Sequence, residues 1–453
     1  MEDTPSKHIT HYESAVYPPP KQHNKIGILA DNYWVIYLIA IIEASWSFLV
    51  PSSCIEQNDT GSFLTALGNY SLHDFFSLFD FSRPPVYPLF LGLCRFLTFG
   101  WDMLLTVSLV QWSVFIISIR YFRLLLQTFV GNRPRLIWTA TLFYVVFPGS
   151  YECNYVAITE SLSTTCMVFF IYTTVNGLCQ TRAKSLWWSA LWLSVLLLLK
   201  PAFIYLIPLM ICGWGIVCLH HKAIALKGLT VLAIPVLLYI GYCTGFQHKF
   251  GFFAPSIIST YNSDINIRTS MVTDRQTEEA GSALEAAHLE AMNESLEARK
   301  TRQGAQDYYD KAQQRIKENH AYLLKLQVSR LLSMFNGDSN YRIYRERGQG
   351  LQPFSYLYIL LSPLPMKVCI YSWLTYTICL VYAMLRRRKV FYSAVLISSI
   401  WISNLFVAWY GSWGDYGRLN QAVFPLFIIM AAQLMSVLTK RQSFTKIFKF
   451  CQS

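Results

Sequence analysis

The sequence predicts an all-α polytopic membrane protein of about ten transmembrane helices, with interfacial helices in the first outer loop and a helical extramembrane insertion. Three observations predict it. The first is composition: of 453 residues, 53% are hydrophobic and only 14% are charged, where an ordinary soluble domain is about a quarter charged. The second is a series of nearly charge-free runs of about 18 residues or more, long enough to cross a bilayer as helix. The third is where the cations fall. The formal net charge of +12 gathers in clusters between the runs, as cytoplasmic loops do, so it calls for no nucleic-acid partner. The eleven cysteines show no CxxC spacing, and those inside apolar runs read as small buried hydrophobes.

Taken in order, residues 1–32 form a polar cytoplasmic tail containing "YPPPKQ", whose apolar continuation comes too late for a cleavable signal peptide. Spans are expected at 33–51, 101–127, 135–151, 158–177, 186–200, 203–219, 225–246, 367–385, 390–410 and 418–437. With these ten, Lys21, Lys25, Arg120, Arg123, Arg133, Arg135, Arg182, Lys184, Lys222, the run Arg386 to Lys389 and the basic tail 439–453 all fall on the cytoplasmic side, and both termini are cytoplasmic. The stretch "SRPPVYPLFLGLCRFLTFG", Ser82 to Gly100, is left out of the count. If it crossed, every later basic cluster would face outward. From Pro84 to Phe99 its helix would be only about 24 Å long, against a hydrocarbon core of roughly 30 Å. Arg95 would lie near mid-membrane, at roughly 3 kcal/mol or more. The stretch therefore reads as an interfacial helix with Pro84 and Pro85 in its first turn; a span broken by Pro88 is the alternative.

Two regions lie outside: the first outer loop, 52–100, within a membrane core of 33–246, and an insertion, 247–352, before a C-terminal membrane part, 353–438. The insertion's middle is rich in Ala, Glu, Leu, Lys and Gln, residues that favour helix, and reads as two or three soluble helices. The segment 353–365, ending in two prolines, reads as a further interfacial helix.

Five residues stand out chemically. Asp59 opens the helix-like run "DTGSFLTAL" just beyond the first span, and Glu160 opens the fourth span in "YVAITESLSTT". Each also fits a plain helix-start acid, which the macrodipole favours. Arg83, Lys200 and Arg418 place cations at the outer ends of apolar helices, where a lipid phosphate or a carboxylate is the natural partner. Snorkelling to the headgroups is the plainer reading of each alone.

The pieces "NDTGSFLTAL", "SRPPVYPLFLGLCRFLTFG", "YVAITESLS", "LLLKPAFIYLIPL" and "YGRLNQAVFPLF" together resemble the GT-C superfamily of polyprenyl-phosphate-sugar-dependent membrane glycosyltransferases. The protein O-mannosyltransferases and lipid A aminoarabinose transferases are the groups most alike. The resemblance runs from Asp59 to about Pro425. It implies that Asp59 is the general base on the acceptor hydroxyl and that Arg83 binds the donor phosphate. It implies that Glu160 lies near the acceptor or a metal, and Arg418 near the donor phosphate. Lys200 joins the phosphate-binding cations. No cofactor is required, though a divalent cation fits the family. Thr60 follows the first acid where many members have Glu or an aromatic, Phe63 stands for a tyrosine, and 247–352 carries no family signature.

The expected function is inverting transfer of a sugar from a polyprenyl-phosphate donor to an acceptor hydroxyl on the extracytoplasmic side. The partners are the donor lipid, membrane lipids and an acceptor that is a glycan, glycolipid or protein. The lack of an organellar address or retrieval motif points to a bacterial inner membrane. A transporter or flippase of a lipid-linked saccharide, and a non-catalytic scaffold, are the competing classes. Transporters of that kind favour internal repeats and charges within spans; the charges noted here sit at helix ends.

Overall fold

The computed structural model describes residues 32–50, 54, 56, 58–71, 73–147, 150, 152–179, 183–218, 222–273, 280–324, 363–385 and 421–438. Among the described residues the structure is all helical, save one isolated bridge between Ser71 and Asp74. The helices are α1 (Tyr33–Leu49), α2 (Asn58–Gly68), α3 (Val86–Phe96), α4 (Met103–Val130), α5 (Pro134–Val146), α6 (Thr159–Cys179) and α7 (Ala183–Leu199). They continue with α8 (Leu206–Cys218), α9 (Lys222–Phe250), α10 (Ile258–Thr273), α11 (Ala280–Ala298), α12 (Arg302–Glu318), α13 (Pro363–Leu385) and α14 (Phe424–Leu438). Two of them, Met103–Val130 and Ala225–Phe250 within α9, are long and apolar enough to cross a membrane. Nine of the ten expected spans coincide with a helix; the tenth, 390–410, lies outside the described residues.

α4 is the central post. Asp102 caps its start, accepting from the backbone N–H of Leu104 at 2.8 Å and Leu105 at 3.1 Å, the usual remedy for orphan donors. Gly131 ends it at φ 74°, a conformation that suits glycine. α1, α5, α6 and α14 pack around α4, burying Trp112, Phe115, Phe122, Tyr144, Phe170 and Phe427 in one apolar core. Polar side chains inside bond within the core: Ser47 Oγ to Ser108 Oγ at 2.8 Å, and Ser118 Oγ to Tyr144 Oη at 2.8 Å. Helix exteriors are apolar too. α1 exposes Trp34, Ile41, Ile42, Phe48 and Leu49, and α9 exposes Leu226, Leu237 and Leu238. A surface of that kind suits lipid rather than water.

The stretch 82–100 forms a short helix, as expected, with one difference. Pro84 and Pro85 precede the helix, Pro85 being its N-cap, and Pro88 occupies the first turn instead. A first-turn residue has no intrahelical acceptor for its N–H, so proline is harmless there. α3 packs on α2, α4 and α7 through Tyr87, Leu91 and Cys94, and exposes Leu89, Leu93 and Phe96 on its other face.

Among the described residues of 247–352 stand three further helices, α10 to α12. Buried Asp264 accepts from Arg315 Nε at 2.6 Å and Nη2 at 3.0 Å, and from Arg268 Nε at 3.0 Å. Arg268 also bonds Glu294 on α11. The bundle is seated on the first outer loop through Phe79, Phe81, Phe246, Phe250, Ile257 and Tyr308. Lys249 Nζ donates to the Phe76 and Phe79 carbonyls at 2.9 and 2.7 Å, and Ile257 N–H to the Phe81 carbonyl at 2.9 Å. The Phe79 ring lies so close to Gly245 that an added Cβ would sit 2.2 Å from it; glycine is required for that approach. The expected interfacial segment 353–365 lies outside the described residues except where Pro363 opens α13.

Candidate active site

Asp59 stands in the first turn of α2, and Arg83 follows the turn that Asp80 builds by accepting from the N–H groups of Ser82 at 2.9 Å and Arg83 at 3.0 Å. That Asx-type turn aims Arg83 back at α2. Arg83 Nη2 donates to Asp59 Oδ1 at 2.6 Å, and its Nε to Ser62 Oγ at 2.7 Å. Its guanidinium lies over the Phe63 ring, 4.4 Å from the centroid, a favourable cation–π position. Side chains of Arg83 and Asp59 are 15% and 27% exposed, so the pair is open to a ligand. Two of the five guanidinium donors have these partners.

Glu160 stands in the first turn of α6 and Lys200 just past the end of α7, where "KP" turns the chain into a 3₁₀ segment, Pro201–Tyr205. Packing of α6 on α7 as an antiparallel pair brings the two together. Lys200 Nζ donates to Glu160 Oε1 at 3.0 Å and Thr159 Oγ1 to Glu160 Oε2 at 3.1 Å. Glu160 is only 2% exposed, so this carboxylate is enclosed where Asp59 is open.

The two ion pairs are joined. Thr60 Oγ1 donates to the Ala157 carbonyl at 2.8 Å, tying the start of α2 to the turn before α6. Phe63 meets Tyr87 edge-on at 4.7 Å, and Tyr87 donates to Gln111 Oε1 at 3.2 Å. On the far side of Glu160, Thr164 Oγ1 donates to the Glu160 carbonyl at 2.8 Å and the Gln421 carbonyl at 3.2 Å, while Gln421 Nε2 donates to Ser150 Oγ at 3.2 Å.

Four of the five residues singled out by sequence thus fall at one end of the helices, as two cation–carboxylate pairs. Arg418 lies outside the described residues; three positions later, Gln421 is buried against α6. The carboxylate alternative for Arg83 and Lys200 is realised in place of snorkelling. Sequence reasoning missed Asp80, Ser62, Tyr87, Gln111 and Glu152. Asp80 had a legible signal, an acid three residues before Arg83. Burial pushes the Glu152 carboxyl well above its usual range, and it stands in the turn before α6 with its backbone carbonyl accepting from Tyr155 N–H at 3.0 Å. Glu43, an ionisable group within α1, accepts from Tyr155 Oη through its backbone carbonyl at 2.5 Å; a charge inside an apolar run is itself a signal. For a divalent cation the donor set does not fit: Asp59 and Glu160 each face a cationic side chain, and the described residues hold no group of three or more His, Cys, Asp and Glu able to cage a metal.

No protein-family model matches the chain, and no curated protein matches it in sequence. Solved structures do. The oligosaccharyltransferase of Archaeoglobus fulgidus in complex with zinc and sulfate superposes with a TM-score of 0.50 at 13% identity, over 91% of this chain and 50% of that one. AglB of the same organism, in complex with an inhibitory peptide and a dolichol-phosphate, gives 0.51 at 13% identity, over 90% and 51%. The chain therefore spans about half the length of the structures it matches. Identity this low speaks to fold alone: the chain shares its helical fold with these oligosaccharyltransferase structures.

Proposed function

We propose that the protein is an integral-membrane glycosyltransferase with ten spans, moving a sugar from a polyprenyl-phosphate donor to an acceptor hydroxyl on the extracytoplasmic face. The observation that carries this reading is the part-exposed Asp59–Arg83 pair, with Arg83 three residues before α3. A base and a phosphate-binding fork stand side by side where a lipid phosphate would lie. The fold shared with an archaeal oligosaccharyltransferase, and the dolichol-phosphate in complex with that protein, support it.

In this reading α3 rests in the outer leaflet, with Leu89, Leu93 and Phe96 among acyl chains. The donor phosphate approaches Arg83, whose remaining guanidinium donors suit its oxygens. The acceptor oxygen attacks the anomeric carbon and gives its proton to Asp59. The bond from that carbon to the phosphate oxygen breaks, and the polyprenyl phosphate leaves with the electron pair. Arg83, and Arg418 in the sequence preceding α14, offset the charge that gathers on it. A single displacement inverts the anomeric centre. Glu160, enclosed, holds Lys200 at the rim of the same site. The bacterial inner membrane, the cytoplasmic termini and the division into a membrane core, the 247–352 insertion and the 353–438 part belong to the same proposal.

The experiment is turnover by Asp59→Asn in reconstituted protein. The substitution keeps shape and removes the base, so kcat falls by at least about 100-fold while the unfolding temperature holds. Wild-type turnover in this variant rules Asp59 out as the base.

A further inference from the structure

We propose that Gln111, in the third turn of α4, is a positioning residue that holds the two ion pairs at a fixed separation; this rests on the glycosyltransferase reading above. Gln111 is fully buried in α4, the bulkiest polar side chain in a stretch whose other buried polar residues are the small Thr106 and Ser108. A Met or Leu would fill the same volume without burying an amide, and burying an amide has a cost unless its bonds are made. Its bonds are made in an unusual way. Nε2 faces three backbone carbonyls of one turn: Cys153 at 3.3 Å, Asn154 at 3.2 Å and Val156 at 3.0 Å. Oε1 accepts from Tyr87 Oη at 3.2 Å.

Each end leads to one half of the site. Tyr87 packs on Phe63, and Phe63 lies under the Arg83 guanidinium. The turn runs directly into Thr159 and Glu160, and its Ala157 carbonyl accepts from Thr60, the neighbour of Asp59. The contacts close a ring: Asp59 and Thr60, the turn, Gln111, Tyr87, Phe63, Arg83 and back to Asp59. Gln111 is the member that touches both α3 and the turn. Without its amide, the turn loses the side-chain donor that bridges its Cys153 and Asn154 carbonyls to α4, while Val156 keeps the Ile158 N–H at 2.9 Å, and the turn is free to shift. A shift of about 1 Å at a reacting centre is enough for a 100-fold loss of rate.

The test uses full-length protein in liposomes, with Gln111→Met and, as the polar control of similar shape, Gln111→Glu. A panel of polyprenyl-phosphate hexoses and pentoses serves as donor, followed by release of polyprenyl phosphate. Backbone amide exchange is measured on the same samples. For Gln111→Met the expected result is a fall of about 100-fold in kcat with donor KM within about twofold. Exchange quickens at 153–158, while the interiors of α4 and α6 stay protected. Gln111→Glu, held neutral by burial among carbonyls, keeps an acceptor for Tyr87 and one O–H donor for the turn, and is expected to lose less than Gln111→Met. Two results overturn the proposal: unchanged exchange in that turn, or a wild-type kcat per folded molecule with only the folded yield reduced. If wild type turns over no donor in the panel, the glycosyltransferase reading fails instead, and the exchange data still decide whether Gln111 holds the turn.

Discussion

Asp59 and Glu160 are both acids in the first turn of a helix, and both face a cation, yet their surroundings divide their tasks. Asp59 remains 27% exposed while Glu160 is 2% exposed. The first can meet a substrate; the second is built into the wall. A buried pair is costly to break from one side, because the remaining charge stays in a poor solvent. Lys200→Met is therefore expected to destabilise the protein by about 3 kcal/mol, the low end because Lys200 keeps some contact with solvent. Adding Glu160→Gln to it recovers more than half of the loss. Equilibrium unfolding of both singles and the double checks this; strictly additive losses would mean the pair contributes nothing. Glu152 gives a pH signature. A carboxyl raised by burial favours folding fully below its unfolded value, and that contribution is lost as pH rises through the folded one. Glu152→Gln stays neutral throughout. Its unfolding midpoint is expected above that of wild type near about pH 8 and level with it near about pH 4. A gain of equal size at both pH values contradicts the assignment.

At the scale of elements, α3 shows what sequence can reveal. Its existence was legible because the apolar run and its prolines mark a short helix; its bounds were not, the helix running Val86–Phe96 in place of Pro84 to Phe99. The role of its prolines was less so: one residue of register moves Pro88 from helix breaker to first-turn residue. Pairing was not legible. Arg83 and Asp59 are 24 positions apart, and Lys200 and Glu160 are 40 apart. Only the turn at Asp80 and the packing of α6 on α7 close those gaps. The expected interfacial placement of α3 makes a direct prediction. Single cysteines at Asn69, before α3, and Thr98, after it, should both react with a membrane-impermeant maleimide from the outer face. Labelling of Thr98→Cys from the inner face alone would mean that α3 crosses.

At the scale of the molecule, the long apolar runs carried the all-helical class, because such runs must close their own backbone hydrogen bonds; of the ten spans expected from the basic clusters, two described helices are long and apolar enough to cross a membrane. The insertion was legible as helical from its Ala, Glu and Lys content. Its seat on the first outer loop was not, since Gly245 and Phe79 reveal nothing of their contact until the chain is folded. That seat matters: the insertion grips the loop through Lys249 and Ile257 within a few residues of Arg83. A scaffold of this kind is a natural frame for a lipid phosphate at Arg83, and this is the claim most in need of test. The measurement is native mass spectrometry of gently solubilised protein, wild type beside Arg83→Ala. The account predicts a polyprenyl phosphate or polyprenyl-phosphate sugar bound to wild type and lost in the variant, with bulk phospholipid unchanged. The same bulk phospholipid in both samples, and no polyprenyl species in either, would contradict it.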